Sequence, residues 1–148
     1  GEAVRARAEA ALGKGASFLA TVPICGYVAA DKNGGGDVNQ SGSVDRRFEP
    51  GETLALHGGI ETVACHGHTA GHVALFLPGE RILIAGDAIF NRDGLSGSPP
   101  QNTADAADAR AAVSTLAALR PEAIVFGHGP SIVGGAAEQL DELDRSLG

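Results

Sequence analysis

The stretch CHGHTAGHVALFLPGERILIAGDAIF, residues 65–90, decides how the chain is read. It holds two apolar runs, Val73 to Leu77 and Arg81 to Ala85, joined across Pro78-Gly79-Glu80. Short apolar runs bounded by Pro and Gly predict strands covered on both faces, and Ile82 to Ala85 is such a run. Working outward, Thr53 to His57 and Ile60 to His66 predict a hairpin across Gly58-Gly59. Downstream, Asn91 to Asn102 reads as a loop with two consecutive prolines. Thr103 to Leu119 carries apolar residues at helical spacing, with Thr103 as N-cap and Arg120-Pro121 as terminator. Ala123 to Phe126 is a short buried strand before the turn Gly127-His128-Gly129-Pro130. Gly135 to Leu147 is a closing amphipathic helix. Strand pairs mixed with helices predict one layered α/β (α+β) domain over residues 1–148.

Upstream of Phe48 the pattern is plainer. Residues 3–12, AVRARAEAAL, predict a helix stopped by Gly13 and Gly15. Phe18 to Ala29 predicts one or two strand segments interrupted by Pro23. Asp31 to Asp45 is a polar Gly/Asn/Ser stretch that reads as a loop. Asp37, Asn39, Ser41 and Gly42 echo the start of a calcium-binding loop, but Phe48 stands where its closing Glu belongs. The Asp37–Asp45 segment is therefore read as solvated rather than as a calcium site.

Composition narrows the function. The 148 residues are 43% hydrophobic and 20% charged, ordinary for a globular domain. Eleven basic against 18 acidic residues give a net charge of -7, which argues against a nucleic-acid surface. No run of 18 apolar residues suggests a membrane span. Two cysteines, Cys25 and Cys65, are too few for a disulfide framework and lack zinc-finger spacing. The chain has no methionine and begins at Gly1, from which a processed or truncated start is expected. No secretory signal pattern is seen at that start, so a cytoplasmic location is expected.

The motifs G-x-S-x-G, G-x-x-x-x-G-K-[ST], G-x-G-x-x-G and H-E-x-x-H are all absent, which removes the usual support for serine-hydrolase and nucleotide-binding readings. The five histidines carry the chemistry: His57, His66, His68, His72 and His128. His68 and His128 each follow a glycine in a turn after an apolar strand, and Asp87 has the same placement in ILIAGD. Each of these features alone is commonplace in a turn. Together they put a metal-ligating side chain, flanked by glycine, at three strand ends. Imidazole nitrogen and carboxylate oxygen suit zinc and related first-row ions. His66, His68 and His72 also read H-x-H-x-x-x-H, a second way to assemble ligands locally. Cys65 alternates to the opposite side and is expected to be a small buried hydrophobe. His57 and Cys25 are not expected to be ligands.

GHTAGH, ILIAGD and FGHG, with HVALFLPGERILIAGDAIF and ALRPEAIVFGHGP around them, resemble the later metal-binding motifs of metallo-β-lactamase-fold hydrolases. The likeness runs from about Phe48 to Leu147. It implies part of an αββα sandwich with metals at one edge between two sheets. It implies that His68 ligates a first metal, that Asp87 bridges both, and that His128 ligates a second. Thr69 and His72 would be neighbours of the ligands. Two zinc ions, or another first-row divalent metal, would activate a water to attack an ester, thioester, lactone, amide or phosphodiester of a small-molecule substrate. The segment Ala88 to Asn102 would border the site.

One departure is large. The family's leading signature, H-x-H-x-D-H, has no counterpart, because no histidine precedes His57. It is expected to lie upstream of residue 1, the chain being the C-terminal two-thirds of such a domain and lacking its N-terminal strands. The alternative expectation is a catalytically incompetent piece that binds metal weakly or self-associates, as a homodimer or a strand-exchanged oligomer.

Overall fold

A computed structural model describes residues 29–30, 36–37, 48–56 and 58–148. Its centre is the strand pair predicted from the deciding stretch. β5 (Val73–Leu77) is buried at all five positions and runs antiparallel to β6 (Ile82–Gly86), with Leu75 opposite Ile84 and Leu77 opposite Ile82. Arg81 stays in the turn because its φ of 53° is left-handed, so β6 starts one residue later than the apolar run suggests. β4 (Ile60–Ala64) pairs with β5, and β3 (Thr53–Leu54) pairs with β4 across the two glycines. On the other side, β9 (Ala123–Phe126) joins β6 in parallel and β10 (Ile132–Val133) pairs antiparallel with β9. The result is a mixed six-stranded sheet in the order β3-β4-β5-β6-β9-β10.

Among the described residues two α-helices pack on one face of this sheet. α1 (Ala106–Ala118) contributes Ala112, Val113, Leu116 and Ala117, and α2 (Ala136–Ser146) contributes Ala136, Leu140 and Leu143. They meet Ala74, Phe76, Leu83, Ala85, Ile124 and Phe126 from the strands. The alternate strand positions gather Ile60, Leu75, Leu77, Ile82 and Ala123 into a second apolar cluster. This two-sided burial is what the continuous apolar runs require.

Three local readings are corrected. α1 begins at Ala106 with Asp105 as N-cap, whose side chain accepts from the Asp108 amide at 2.9 Å. Thr103 does not cap it, because its hydroxyl turns back to the Pro99 carbonyl at 2.7 Å and closes the short 3₁₀ turn Pro100–Asn102. The segment read as a loop from Asn91 contains an antiparallel pair, β7 (Ile89–Asn91) and β8 (Leu95–Gly97), turned at Gly94 with φ 112°. Its strands are three residues long, too short to show a period. Within the stretch read as polar loop, β2 (Gly36–Asp37) pairs with β1 (Ala29–Ala30). The predicted helix over residues 3–12, the rest of the calcium-like segment, Cys25 and His57 lie outside the described residues.

Candidate metal centre

β6 and β9 are parallel neighbours, so their carboxyl ends open at the same edge of the sheet. Asp87 leaves the end of β6 and His128 leaves the end of β9, each one residue past a glycine. The Gly127 amide donates to the Gly86 carbonyl at 2.8 Å and keeps the two ends together. Glycine at 127 leaves the Asp87 carboxylate its place, since a Cβ there would lie 2.1 Å from Asp87 Oδ1 and push it aside. Gly129, with φ 104°, lets the chain after His128 pass against the β7 backbone, where a Cβ would lie 1.9 Å from the Asn91 carbonyl oxygen. The Asn91 amide donates to His128 O at 3.1 Å, and its side-chain amide donates to Pro130 O at 2.7 Å.

His68 arrives from the third element. β4 ends at Ala64, and Gly67, with φ 120°, turns the chain sharply. A Cβ on Gly67 would lie 2.2 Å from the Ala109 amide nitrogen, so the turn rests directly on α1. The Ala104 and Asp105 amides donate to Gly67 O at 2.7 and 3.0 Å, and the Cys65 amide donates to His72 O at 3.1 Å. His68, at the tip of this closed loop, is thereby fixed between the sheet end and the helix start.

The three side chains meet. His68 Nε2 lies 3.6 Å from Asp87 Oδ2, and His128 Nε2 lies 3.7 Å from Asp87 Oδ1. Each imidazole faces its own carboxylate oxygen, so the arrangement is two adjoining half-sites sharing one carboxylate. Among the described residues no group of three or more His, Cys, Asp or Glu side chains gathers around a single point. Phe90 is buried beneath the site: the His128 ring stacks on it at 5.2 Å and the His68 ring tilts over it at 6.3 Å. Arg92, on the turn of the β7–β8 hairpin, lies 5.7 Å above the same ring.

His72 stands behind the site. Its Nε2 accepts the Asp87 amide at 3.0 Å and its Nδ1 faces Cys65 Sγ at 3.2 Å, so both ring nitrogens are occupied. Burial, reinforced by His68 and opposed by Asp87, lowers its pKa from 6.5 to about 4. A neutral His72 with Nδ1 protonated is thus a fixed acceptor for the Asp87 amide. Cys65 is buried, as its alternation suggests, and burial pushes its thiol up to about 12. His66 Nδ1 is buried with no hydrogen-bond partner. Thr69 contributes its carbonyl, which accepts from the Gly67 and His72 amides at 3.2 Å each. The side chain that touches His68 is Ser98, its Oγ 3.1 Å from Nδ1. Sequence reading did not single out Ser98. Its only signal is its place in the segment expected to border the site.

The donor set fits metal ions of the kind the fold implies. Two Nε2 atoms and both oxygens of one carboxylate point inward. The cradle around Asp87 exists only because residue 127 has no Cβ.

Among the described residues, the mixed sheet with helices on one face and His68, Asp87 and His128 at its strand ends defines an α/β sandwich-type scaffold. The metallo-beta-lactamase superfamily model matches residues 8–128, and the chain belongs to that superfamily. The match begins upstream of Phe48 and takes in residues 8–47, where the sequence has no histidine. The chain is similar to YflN of Bacillus subtilis (strain 168), a "Probable metallo-hydrolase", with 36% identity over 98 residues, 57% of this chain and 37% of the relative. It is also similar to the hydroxyacylglutathione hydrolase of Hyphomonas neptunium, 38% identical over 56 residues, 37% of this chain and 22% of the relative. The matched stretches thus span well under half the length of these relatives. A solved structure, TTHA1623 in a di-iron-bound form, is 28% identical with TM-score 0.52, over 67% of this chain and 46% of that one.

Proposed function

We propose that His68, Asp87 and His128 supply part of a two-metal centre in a hydrolase of small acyl compounds. One observation carries this reading: the Asp87 carboxylate sits between two imidazole Nε2 atoms, one per oxygen, at 3.6 and 3.7 Å. A shared carboxylate is suited to ions held about 3.5–4 Å apart. Zinc is the proposed metal, and the di-iron-bound neighbour makes iron the competitor to test. Such ions, when bound, lower the pKa of a coordinated water and polarise the oxygen of the bond under attack. The residues of this chain hold and orient. His68 and His128 present their Nε2 atoms, Asp87 divides its charge between both positions, and Phe90 keeps the floor dry. The Asp87 carboxylate is aimed by its own amide, donated to His72. Arg92 and the rest of the β7–β8 turn form the rim where substrate would rest.

Thioesters are the first substrates to try, on the likeness to a hydroxyacylglutathione hydrolase. Esters, lactones, amides and phosphodiesters follow. Zinc titration by calorimetry, beside a panel of these substrates, tests the reading. Binding should be abolished in Asp87→Asn, and unchanged binding there would defeat it. A second reading, metal binding without turnover, is favoured by the donor count. Among the described residues each half-site has one imidazole and one carboxylate oxygen, whereas a catalytic zinc takes three protein ligands.

A further inference from the structure

We infer that Ser98 and Thr103 form a hydroxyl relay that fixes the tautomer of His68 and turns its Nε2 lone pair toward Asp87. As a statement about the metal centre, this rests on the function proposed above; as a statement about the tautomer, it stands on geometry alone.

Three contacts decide the direction of the relay. Thr103 Oγ1 lies 2.7 Å from the Pro99 carbonyl oxygen, 3.0 Å from Ser98 Oγ and 3.2 Å from the Ser98 carbonyl oxygen. Ser98 Oγ lies 3.1 Å from His68 Nδ1. A threonine hydroxyl has one proton, and a carbonyl has none to give. Two oxygens 2.7 Å apart repel unless a proton lies between them, so the Thr103 proton belongs to the Pro99 carbonyl. Ser98 Oγ then receives nothing from Thr103, and its own proton has Thr103 Oγ1 as acceptor. With that proton committed, Ser98 Oγ can only accept from His68. Nδ1 therefore carries the ring proton of the neutral imidazole, and Nε2 is left bare 3.6 Å from Asp87 Oδ2. The reverse direction would place a proton on Nε2, where it would block a metal, and, with the Thr103 proton kept by Pro99, would leave the two hydroxyl oxygens of Ser98 and Thr103 facing each other at 3.0 Å with no proton between them.

The arrangement also ties the site to its scaffold. Pro99 precedes the 3₁₀ turn, and Ala104, next to Thr103, donates its amide to Gly67 O in the His68 loop. The relay and the loop it serves are thus held by the same short segment. An outer hydrogen bond of this kind sets ring orientation and ligand basicity, and its loss ordinarily reduces metal affinity 10- to 100-fold. Ser98 and Thr103 are positioning residues, since neither reaches Asp87 or His128 in the contacts described.

Long-range ¹H–¹⁵N correlation spectra of the ¹⁵N-labelled, metal-free chain at pH 8 report the tautomer of each neutral imidazole. His68 should be the Nδ1–H form in the wild type. Ser98→Ala should shift it toward Nε2–H and weaken zinc binding by about 10- to 100-fold, and Ser98→Thr should restore both. Thr103→Val, which does not touch His68, should shift the tautomer in the same direction by freeing the Ser98 proton to turn to Nδ1. The amide spectrum shows whether each variant is folded. If Ser98→Ala is not folded, Thr103→Val decides. An Nε2–H wild-type His68, or a folded Ser98→Ala that keeps the wild-type tautomer or zinc affinity, would overturn the relay. Zinc affinity unchanged in Asp87→Asn would instead remove the metal reading and leave the tautomer result to be judged by itself.

Discussion

His72 shows at the scale of one residue how the site is built. A histidine whose two ring nitrogens are taken by the Asp87 amide and Cys65 Sγ is held neutral, with its pKa lowered to about 4. The unfolded chain takes up that proton near 6.5 and the folded one near 4. Stability is therefore full above pH 6.5, falls as pH drops through that window, and levels off below it. The loss from this residue is roughly 3 kcal/mol. Urea midpoints of the metal-free chain from pH 8 to 4 should show it, and His72→Gln should flatten the slope between 6.5 and 4. An identical slope in the variant would show that His72 is not the group. The sequence could expose His72 as a neighbour of His68, through the spacing of GHTAGH, because local spacing fixes which residues share a turn. It could not reveal Ser98, which reaches His68 across thirty positions. A lone serine beside two prolines carries no pattern.

At the scale of elements, the start of α1 is where local signals compete. Thr103 and Asp105 are both good N-caps by type. The chain uses Asp105, because the Ala104 and Asp105 amides are already bonded to Gly67 O and Thr103 is bent back onto Pro99. Asp105→Ala should lower stability by about 1 kcal/mol in urea unfolding. Thr103→Ala should act chiefly on zinc affinity, so a larger stability loss at 103 than at 105 would contradict the assignment. The two helices are clamped by Arg110, whose guanidinium meets Asp144 Oδ1 at 2.5 Å and its carbonyl at 2.9 Å. Ser114 and then Arg110 hold the Asp144 carboxyl below the usual range. This contribution is present above the ordinary carboxylate pKa and fades only in stronger acid. Asp144→Asn should therefore lower the urea midpoint at pH 7 and bring it closer to the wild type only in acid beyond the ordinary carboxylate pKa. A constant difference between the two across that range would count against the clamp. The strands β5, β6 and β9 were legible because buried parallel and central strands are apolar throughout. The β7–β8 hairpin was hidden because three-residue strands have no period to read.

For the whole molecule, the question is how many donors reach the metals. Among the described residues each half-site offers two, and no histidine precedes His57 anywhere in the sequence. Each absent ligand removes coordination energy while the entropy cost of fixing an ion stays. The 148-residue chain is therefore expected to hold zinc below stoichiometry after desalting and to turn over thioesters slowly. Metal analysis by mass spectrometry and a thioesterase assay with added zinc check this. Two tightly held ions with brisk turnover would show that these residues complete a site. Sedimentation velocity would show whether copies associate. The outer strands β3 and β10 are two residues long, which gives a second copy little edge to continue. The family was legible because its later ligands sit in short glycine-flanked motifs. The reach of the match back to residue 8 was not, since that stretch carries no histidine and none of the motifs by which the family's metal ligands are recognised.

The glycines that admit the ligands have a consequence for heredity. Any missense change in a glycine codon installs a Cβ, so Gly67, Gly127 and Gly129 have no harmless missense neighbours. Their failures would nonetheless differ in kind. At Gly67 and Gly129 the new atom meets main chain, 2.2 Å from Ala109 N and 1.9 Å from Asn91 O, and the backbone has nowhere to go. At Gly127 it meets first the carboxylate of Asp87, a side-chain end that can swing aside. A library of single substitutions sorted for folding should lose alleles at codons 67 and 129 yet keep Gly127→Ala. The same library sorted for zinc retention should lose codon 127 as well, while Gly79→Ala, in open space, passes both.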